Sequence, residues 1–242
     1  ADDCGHLIAG NVGRAGTMTG LPETVYVDQA GDFTITMDPG MDGLNAGDTV
    51  TWRAGQAEEE TGLIFGATAF ASIQDAIDAA TDGVSTTVQI APGTYMENVA
   101  LDKDLALTGS TGTASDVVIN GGGGNGVTIT GTTATLQDLR ITGSSNAVSA
   151  TGQTTLNLTN LTLDGNTAGG SIGTQGTVNV TGSSSADTIT QTLSMLNPGS
   201  AQSLSYTSIT TLTVDCGGGD DTFTKEITGN ATLNTTSLDG VT

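Results

Sequence analysis

Two groups of acidic residues have the types and spacing for metal chemistry. Asp38, Asp42, Asn45 and Asp48 follow one another at intervals of three or four residues, in a loop that also holds Pro39, Gly40, Gly43 and Gly47. Oxygen ligands so spaced on a flexible loop suit Ca²⁺, which accepts irregular geometry, and no bidentate Glu follows where an EF-hand needs one. The same residues also suit a solvated turn closed by Asx-type hydrogen bonds. Asp215, Asp220 and Asp221 flank Gly217-Gly218-Gly219 and form the second group. Calcium ligation and a sharp turn between strands are both readings of it.

Other catalytic chemistry finds little material. The only His is His6, near the start of the chain, so no Ser/His/Asp set is available. Gly121-Gly122-Gly123-Gly124 is not followed by Lys-Ser/Thr and opens no helix, so it reads as a loop rather than a phosphate cradle. The bases are Arg14, Arg53, Lys103, Arg140 and Lys225, against 26 acidic residues, and the net charge is −21. Such a chain has nothing to neutralise a phosphate backbone, which excludes nucleic acid, and nothing to hold it to an anionic lipid surface. Solubility is one use of this charge. Binding of a cation, chiefly Ca²⁺, which relieves self-repulsion, is the other.

Cys4 and Cys216 stand near opposite ends of the chain. With one His and no second cysteine pair, a zinc site is not expected; a disulfide in an oxidising compartment is. It closes within one subunit if the N-terminal segment runs back along the fold, or joins Cys4 of one subunit to Cys216 of the next. No apolar run is long enough to span a membrane, and the start at Ala1-Asp2-Asp3 resembles what a removed leader leaves. The expected location is therefore secreted, extracellular or at a cell surface. Sequons at Asn157, Asn160, Asn179, Asn230 and Asn234 arise readily by chance in so Thr-rich a chain.

The elements that must position these residues are nearly all β. Aromatic residues make up 3% of the chain and Gly numbers 36, which disfavours long helices and suits a thin core of Val, Ile, Leu, Ala and Thr. Residues 1–66 read as an N-terminal β-rich extension, with alternating strands at Thr24–Asp28, Asp32–Thr36 and Thr49–Trp52. One helix is expected near 72–80: Ser72 and Asp75 make a capping pattern, and Ile73, Ala76, Ile77 and Ala80 share a face. From there alternating segments end repeatedly in Thr-Gly or Asp-Gly, as at Leu105–Gly109, Leu139–Gly143 and Leu161–Gly165. Residues 177–190 align without a gap on 211–224, apolar over apolar and Asp187 over Asp221. Repeats of this kind bury their inward residues on one another, so the ends need caps.

Phe70 to Ala80, then Val88-Gln89-Ile90-Ala91-Pro92-Gly93-Thr94-Tyr95, then Glu97-Asn98-Val99 and Leu101 to Gly109, resemble the N-terminal cap and first coils of pectin-lyase-like right-handed parallel β-helices. The likeness covers about forty residues. Gly47–Trp52 and Gly62–Gly66 are similar to units in large bacterial surface and adhesin-like proteins, and the Gly-Asp run at 215–221 resembles a single, broken copy of a calcium-binding β-roll repeat. The resemblance implies an all-β, right-handed parallel β-helix over 67–242, capped by the 72–80 helix. Enzymes of that family use an Arg or Lys base beside acidic Ca²⁺ ligands, or several Asp residues with a His and a basic pair. Here Asp138 and Arg140 fall on one outward strand face as a solvated pair, and Lys103 has only Asp102 and Asp104 near it, so no catalytic motif carries over.

The fold does not choose the function. The expectation is an extracellular structural protein that self-assembles head-to-tail into a fibre, layer or matrix, through an N-terminal segment docking on a neighbour's last coil. Alternatives are a carbohydrate-binding or polysaccharide-cleaving β-helix that meets cell-surface glycans, and a passive spacer in a larger adhesin.

Overall fold

The computed structural model describes residues 24–29, 31–83, 85–153 and 155–173, and beyond them the strand segments 177–181, 188–191, 195–198, 204–207, 211–215 and 222–225. Strands β1 (Thr24–Val27), β2 (Thr34–Met37), β3 (Thr49–Trp52), β4 (Glu60–Ile64) and β5 (Ala69–Phe70) precede helix α1 (Ile73–Ala79). Next come β6 (Thr87–Ile90), β7 (Gly93–Tyr95), β8 (Val99–Leu101), β9 (Leu105–Gly109), β10 (Val117–Asn120), β11 (Val127–Ile129), β12 (Thr133–Thr142), β13 (Asn146–Thr151), β14 (Thr155–Leu163) and β15 (Ala168–Gly173). The last are β16 (Thr177–Thr181), β17 (Thr188–Gln191), β18 (Met195–Pro198), β19 (Leu204–Thr207), β20 (Thr211–Asp215) and β21 (Thr222–Lys225).

The protein is mostly β, and its two long sheets are parallel but for the pairings of β18, an arrangement compatible with stacked repeats. The ten-stranded sheet runs β20-β16-β14-β12-β9-β6-β1-β5, with β10 beside β12 and β7 beside β10. The eight-stranded sheet runs β21-β17-β18-β19-β15-β13-β11-β8, with β18 antiparallel to both neighbours. Alternation dictates which residues meet in the core. In the first sheet Leu105, Ala134 and Leu156 stack, as do Leu107, Leu136 and Leu158. In the second, Leu101, Ile129, Ala150 and Ile172 do the same, and all of these belong to one buried cluster. The gapless repeat is a physical register: Thr177 faces Thr211 and Thr188 faces Thr222.

Outward residues stack too. The Asn179 amide donates to Asn157 Oδ1 (2.7 Å), and the Asn157 amide to Thr135 Oγ1 (3.1 Å), each across 22 residues of sequence. At Asp138 and Asn160 both strands take a left-handed residue, φ +56° and +46°, which bends β12 and β14 at the same level. This overturns the expected Asp138–Arg140 pair. The bend breaks the alternation, so Asp138 turns in (7% exposed) and accepts from the Asn160 amide (2.7 Å). Arg140 instead makes a two-point contact with Asp164, at 2.8 Å from both Nε and Nη2. Both side chains are about a third exposed, so the pair adds little stability. At the matching position of β9 stands Gly109, where a Cβ would lie 2.2 Å from the Asp138 carbonyl oxygen. Only glycine fits there.

The helix is capped as its sequence requires: Ser72 Oγ accepts from the Asp75 N–H (3.1 Å), and Ile73, Ala76 and Ile77 are buried. Seven residues are too few for an isolated helix, and its supports come from the chain around β8. The Glu97 carboxylate takes the N–H groups of Ile73 and Gln74 at 3.0 Å each. Lys103 Nζ donates to the carbonyls of Ile77, Asp78 and Ala80 at 2.8, 2.7 and 2.9 Å. Negative charge at the N-terminus and positive at the C-terminus complement the helix dipole. The Gln74 carboxamide then accepts from Ala100 N (2.8 Å) and donates to Ala100 O (3.2 Å), filling the outer edge of β8 as a paired strand would.

β1, from the segment read as an N-terminal extension, lies inside the ten-stranded sheet, with β5 on one side and β6 on the other. The antiparallel sheet β2-β3-β4 packs on that end through Phe33, Val50, Trp52, Leu63, Ala69 and Ala91. Trp52 is fully buried, and its indole N–H donates to the Val27 carbonyl (2.9 Å).

Replacing Lys103 by Met keeps the apolar stem and removes three donors from the helix C-terminus. We expect a loss of about 1–2 kcal/mol, read as a melting temperature a few degrees lower, with Lys103→Arg recovering part of it. An unchanged melting temperature in Lys103→Met contradicts the clamp.

Candidate functional site

The loop with the expected calcium ligands is closed by its own hydrogen bonds. Asp38 accepts from the N–H groups of Met41 (2.6 Å) and Gly43 (3.0 Å), one on each carboxylate oxygen. Asp48, buried, takes the Asn45 N–H (2.6 Å). The Asn45 amide nitrogen donates to Asp42 Oδ1 (2.9 Å) and to the Gly43 carbonyl (2.8 Å), so Asn45 turns a donor toward Asp42. Left-handed backbone at Met41, Gly43 and Gly47 makes the turns that these contacts hold. Among the described residues, no three His, Cys, Asp or Glu side chains gather as a metal would need. The donor set as placed therefore serves N–H groups, not a ready cation cage. Asp215 closes β20. Cys4, Cys216, Asp220, Asp221 and His6 lie outside the described residues, as does the expected alignment of Asp187 on Asp221.

Three bases among the described residues have structural duties. Lys103 holds α1, and Arg140 holds Asp164. Arg53 donates from Nη1 to Ser110 Oγ (2.8 Å), pairs with Glu58 and lies 5.6 Å from the centre of the Trp52 ring. It thereby ties the antiparallel sheet to the turn after β9. Arg53 has a left-handed backbone, φ +48°, which turns its side chain back over the tryptophan.

Two hollows flank that Trp52-Arg53 pair. One, about 310 Å³, is lined by Tyr26, Trp52, Glu58, Glu59, Glu60 and Gln89, among others. Tyr26 and Trp52 meet there at 5.0 Å between ring centres. Burial raises the Tyr26 hydroxyl above its usual pKa, and the charge of Glu60, its hydrogen-bond partner, adds to this. The other, about 330 Å³, is lined by Asp28, Asp32, Thr34, Arg53 and Gln56 over a floor of Ala91 and Pro92. It contains the most displaced carboxyl of the described residues. Asp28 is 4% exposed, and burial pushes its pKa up to about 6; the charge of Asp32 adds to this, while the Gln29 N–H and Arg53 oppose it. Tyr95 is shifted upward as well, by burial and then by Asp28, and its hydroxyl donates to the Ala91 carbonyl (2.9 Å).

Sequence reasoning missed this hollow. Strand alternation puts Val25 and Val27 inward and leaves Asp28 outward, and nothing local to Asp28 tells that β3 will cover it. A buried acid and a base at one cavity are a recognised signature of functional sites. No protein-family model, curated protein or solved structure matches the chain.

With its pKa raised, folded Asp28 keeps a proton that the unfolded chain releases near the ordinary carboxylate value of 3.8. Its contribution to stability therefore falls as pH rises from about 4 to about 6, and is level above that. Asp28→Asn keeps the acceptor for the Gln29 N–H and removes the charge. We expect it to stabilise the fold by about 1–3 kcal/mol at neutral pH and to change nothing near pH 4. Chemical denaturation at the two pH values tests this, and equal effects at both refute the assignment.

Proposed function

We propose that the chain is a right-handed parallel β-helix of the pectin-lyase-like kind, working as an extracellular structural element of a cell-surface fibre, layer or matrix and not as an enzyme. The observation that carries the reading is the register. Strand after strand pairs parallel, like residue on like, from β6 through β9, β12, β14 and β16 to β20. Such a sheet resists extension along its stacking direction because every layer is joined to the next by main-chain hydrogen bonds. The basic side chains that the family's lyases need as catalysts are, at Arg53, Lys103 and Arg140, engaged in holding the fold.

Head-to-tail self-assembly is part of the proposal, with the Cys4–Cys216 disulfide either within a subunit or across the joint. β1 is paired on both sides in its own sheet, so a docking segment would come from the residues before it. Calcium is proposed as a counter-ion that eases the repulsion of the −21 charge, with the Asp-bearing segments 38–48 and 215–221 as its candidate sites. Cell-surface glycans are the proposed contact of the alternative reading.

Negative-stain images of the oxidised protein test the proposal. We expect rods about 40 Å long, at ~4.8 Å per layer, joined end to end in millimolar calcium and dispersed by chelator. Single, compact particles under both conditions overturn the structural reading. A melting temperature indifferent to calcium and chelator removes the counter-ion from it.

A further inference from the structure

Charge is shared unequally along the fold. Residues 24–104, which make β1 to β8 and α1, hold fourteen acidic residues and two bases. Residues 105–173, which make β9 to β15, hold three and one. Of those three, Asp138 is buried against the Asn160 amide and Asp164 is paired with Arg140. Asp116, exposed in the turn that precedes β10, is the remaining charge of the stretch. The outward side of β9, β12 and β14, before the bend, carries none. Thr133 lies beside Thr155, Thr135 beside Asn157 and Gln137 beside Thr159, and all six are partly exposed. Asp104 borders this side, and its carboxylate is taken up by the Thr132 and Thr133 N–H groups and the Thr132 hydroxyl. Asn179 of β16 extends the middle column, whose amides are already bonded to one another down to Thr135. Polar groups with such partners can be covered at less cost than groups that depend on water.

A chain of net charge −21 approaches another copy of itself against repulsion. The side of β9, β12 and β14 is where that repulsion is least, because the fixed register sets uncharged residues in rows and the acids lie toward the first strands. We propose that two copies pack side by side through this face, continued over β16, with their stacking directions opposed so that the two acidic 24–104 portions lie apart. Sheets facing in this way stand about 10 Å apart, a gap that Thr and Asn side chains fill, and the Thr methyl groups supply apolar area. No aromatic ring stands in these rows to stack on a sugar, which favours a second copy over a polysaccharide. Five strands of about five residues, β9 to β20, give a footprint of roughly 400 Å² per copy, half that of a standard interface. A single pair is therefore weak and reversible, and it gains strength where many copies stand in line. Only the use of such pairs rests on the scaffold reading: rods joined end to end without side-by-side pairs sink this proposal and leave that reading standing, and pairs without rods do the reverse.

Sedimentation equilibrium of the intact, reduced chain, carried up to about millimolar concentration, tests this. A monomer–dimer equilibrium is expected in the upper part of that range. It should respond little to salt, since the acidic portions are held apart, whereas steep strengthening by salt overturns the opposed arrangement. The double variant Thr155→Asp with Thr159→Asp sets like charges across the face and should weaken pairing about tenfold or more, with the melting temperature confirming that it folds. Ser149→Asp with Ser171→Asp, on the outward side of the eight-stranded sheet, should pair as the original protein does. In NMR spectra of concentrated original protein, the amides of 133–137 and 155–159 should be shielded from a soluble paramagnetic probe that reaches them on dilution. Monomers at every concentration, or equal weakening by both double variants, overturn the proposal. So does a protein that stays monomeric while a soluble neutral glucan oligosaccharide shifts those same amides, which assigns the face to sugar.

Discussion

A parallel strand can satisfy its main-chain groups only by lying beside another strand in a fixed register, and most strands here have such a neighbour on each side. This requirement shapes the rest of the molecule. Because partners in β12, β14 and β16 are separated by a constant stretch of chain, inward apolar residues meet inward apolar residues, and the outward column Thr135, Asn157 and Asn179 is joined by hydrogen bonds. Even the departures are shared between layers. The left-handed residue at Asp138 is matched by one at Asn160, and Gly109 is needed at the same level because the Asp138 carbonyl comes too close for a side chain. A one-residue slip would turn every core residue outward and detach these bends from each other.

Periodic features were readable in the sequence because the same physics repeats. The 177–190 and 211–224 match is legible as spacing alone and becomes a pairing register. Helix α1 announced itself through Ser72, Asp75 and a single apolar face. The misses share a cause: they depend on residues far apart in the chain that no period connects. Glu97 and Lys103 gave no sign that they would hold the two ends of a helix more than twenty residues before them. Asp138 and Arg140 read as neighbours on one face because alternation was assumed to continue through a residue that breaks it. Asp28 read as the polar end of a strand, and its burial comes from a sheet that packs over it.

The few cations illustrate how an acidic chain allocates scarce charge. Each described base with a placed side chain sits where a turn, a helix end or a neighbouring element has to be fixed: Arg53 at the join between the two kinds of sheet, Lys103 under α1, Arg140 against Asp164. Carboxylates do the converse work. They receive N–H groups at the start of α1, in the 38–48 loop, and at Asp104, whose pKa is lowered by the Thr132 hydroxyl and then the Thr133 N–H. An acidic composition of this kind is a supply of acceptors for main-chain donors at turns as much as a source of solubility.

The place of β1 has a consequence for how the chain acquires its shape. Thr24–Val27 is the earliest described strand, yet it sits between β5 and β6 and cannot be flanked on both sides until Ile90 has been synthesised. The layers that follow pair with strands much nearer in sequence. That end of the molecule is therefore the part with the largest loops to close, where assembly is slow and exposed edges persist longest. Order along the chain and order of consolidation thus differ, and the earliest described strand must wait for its neighbours.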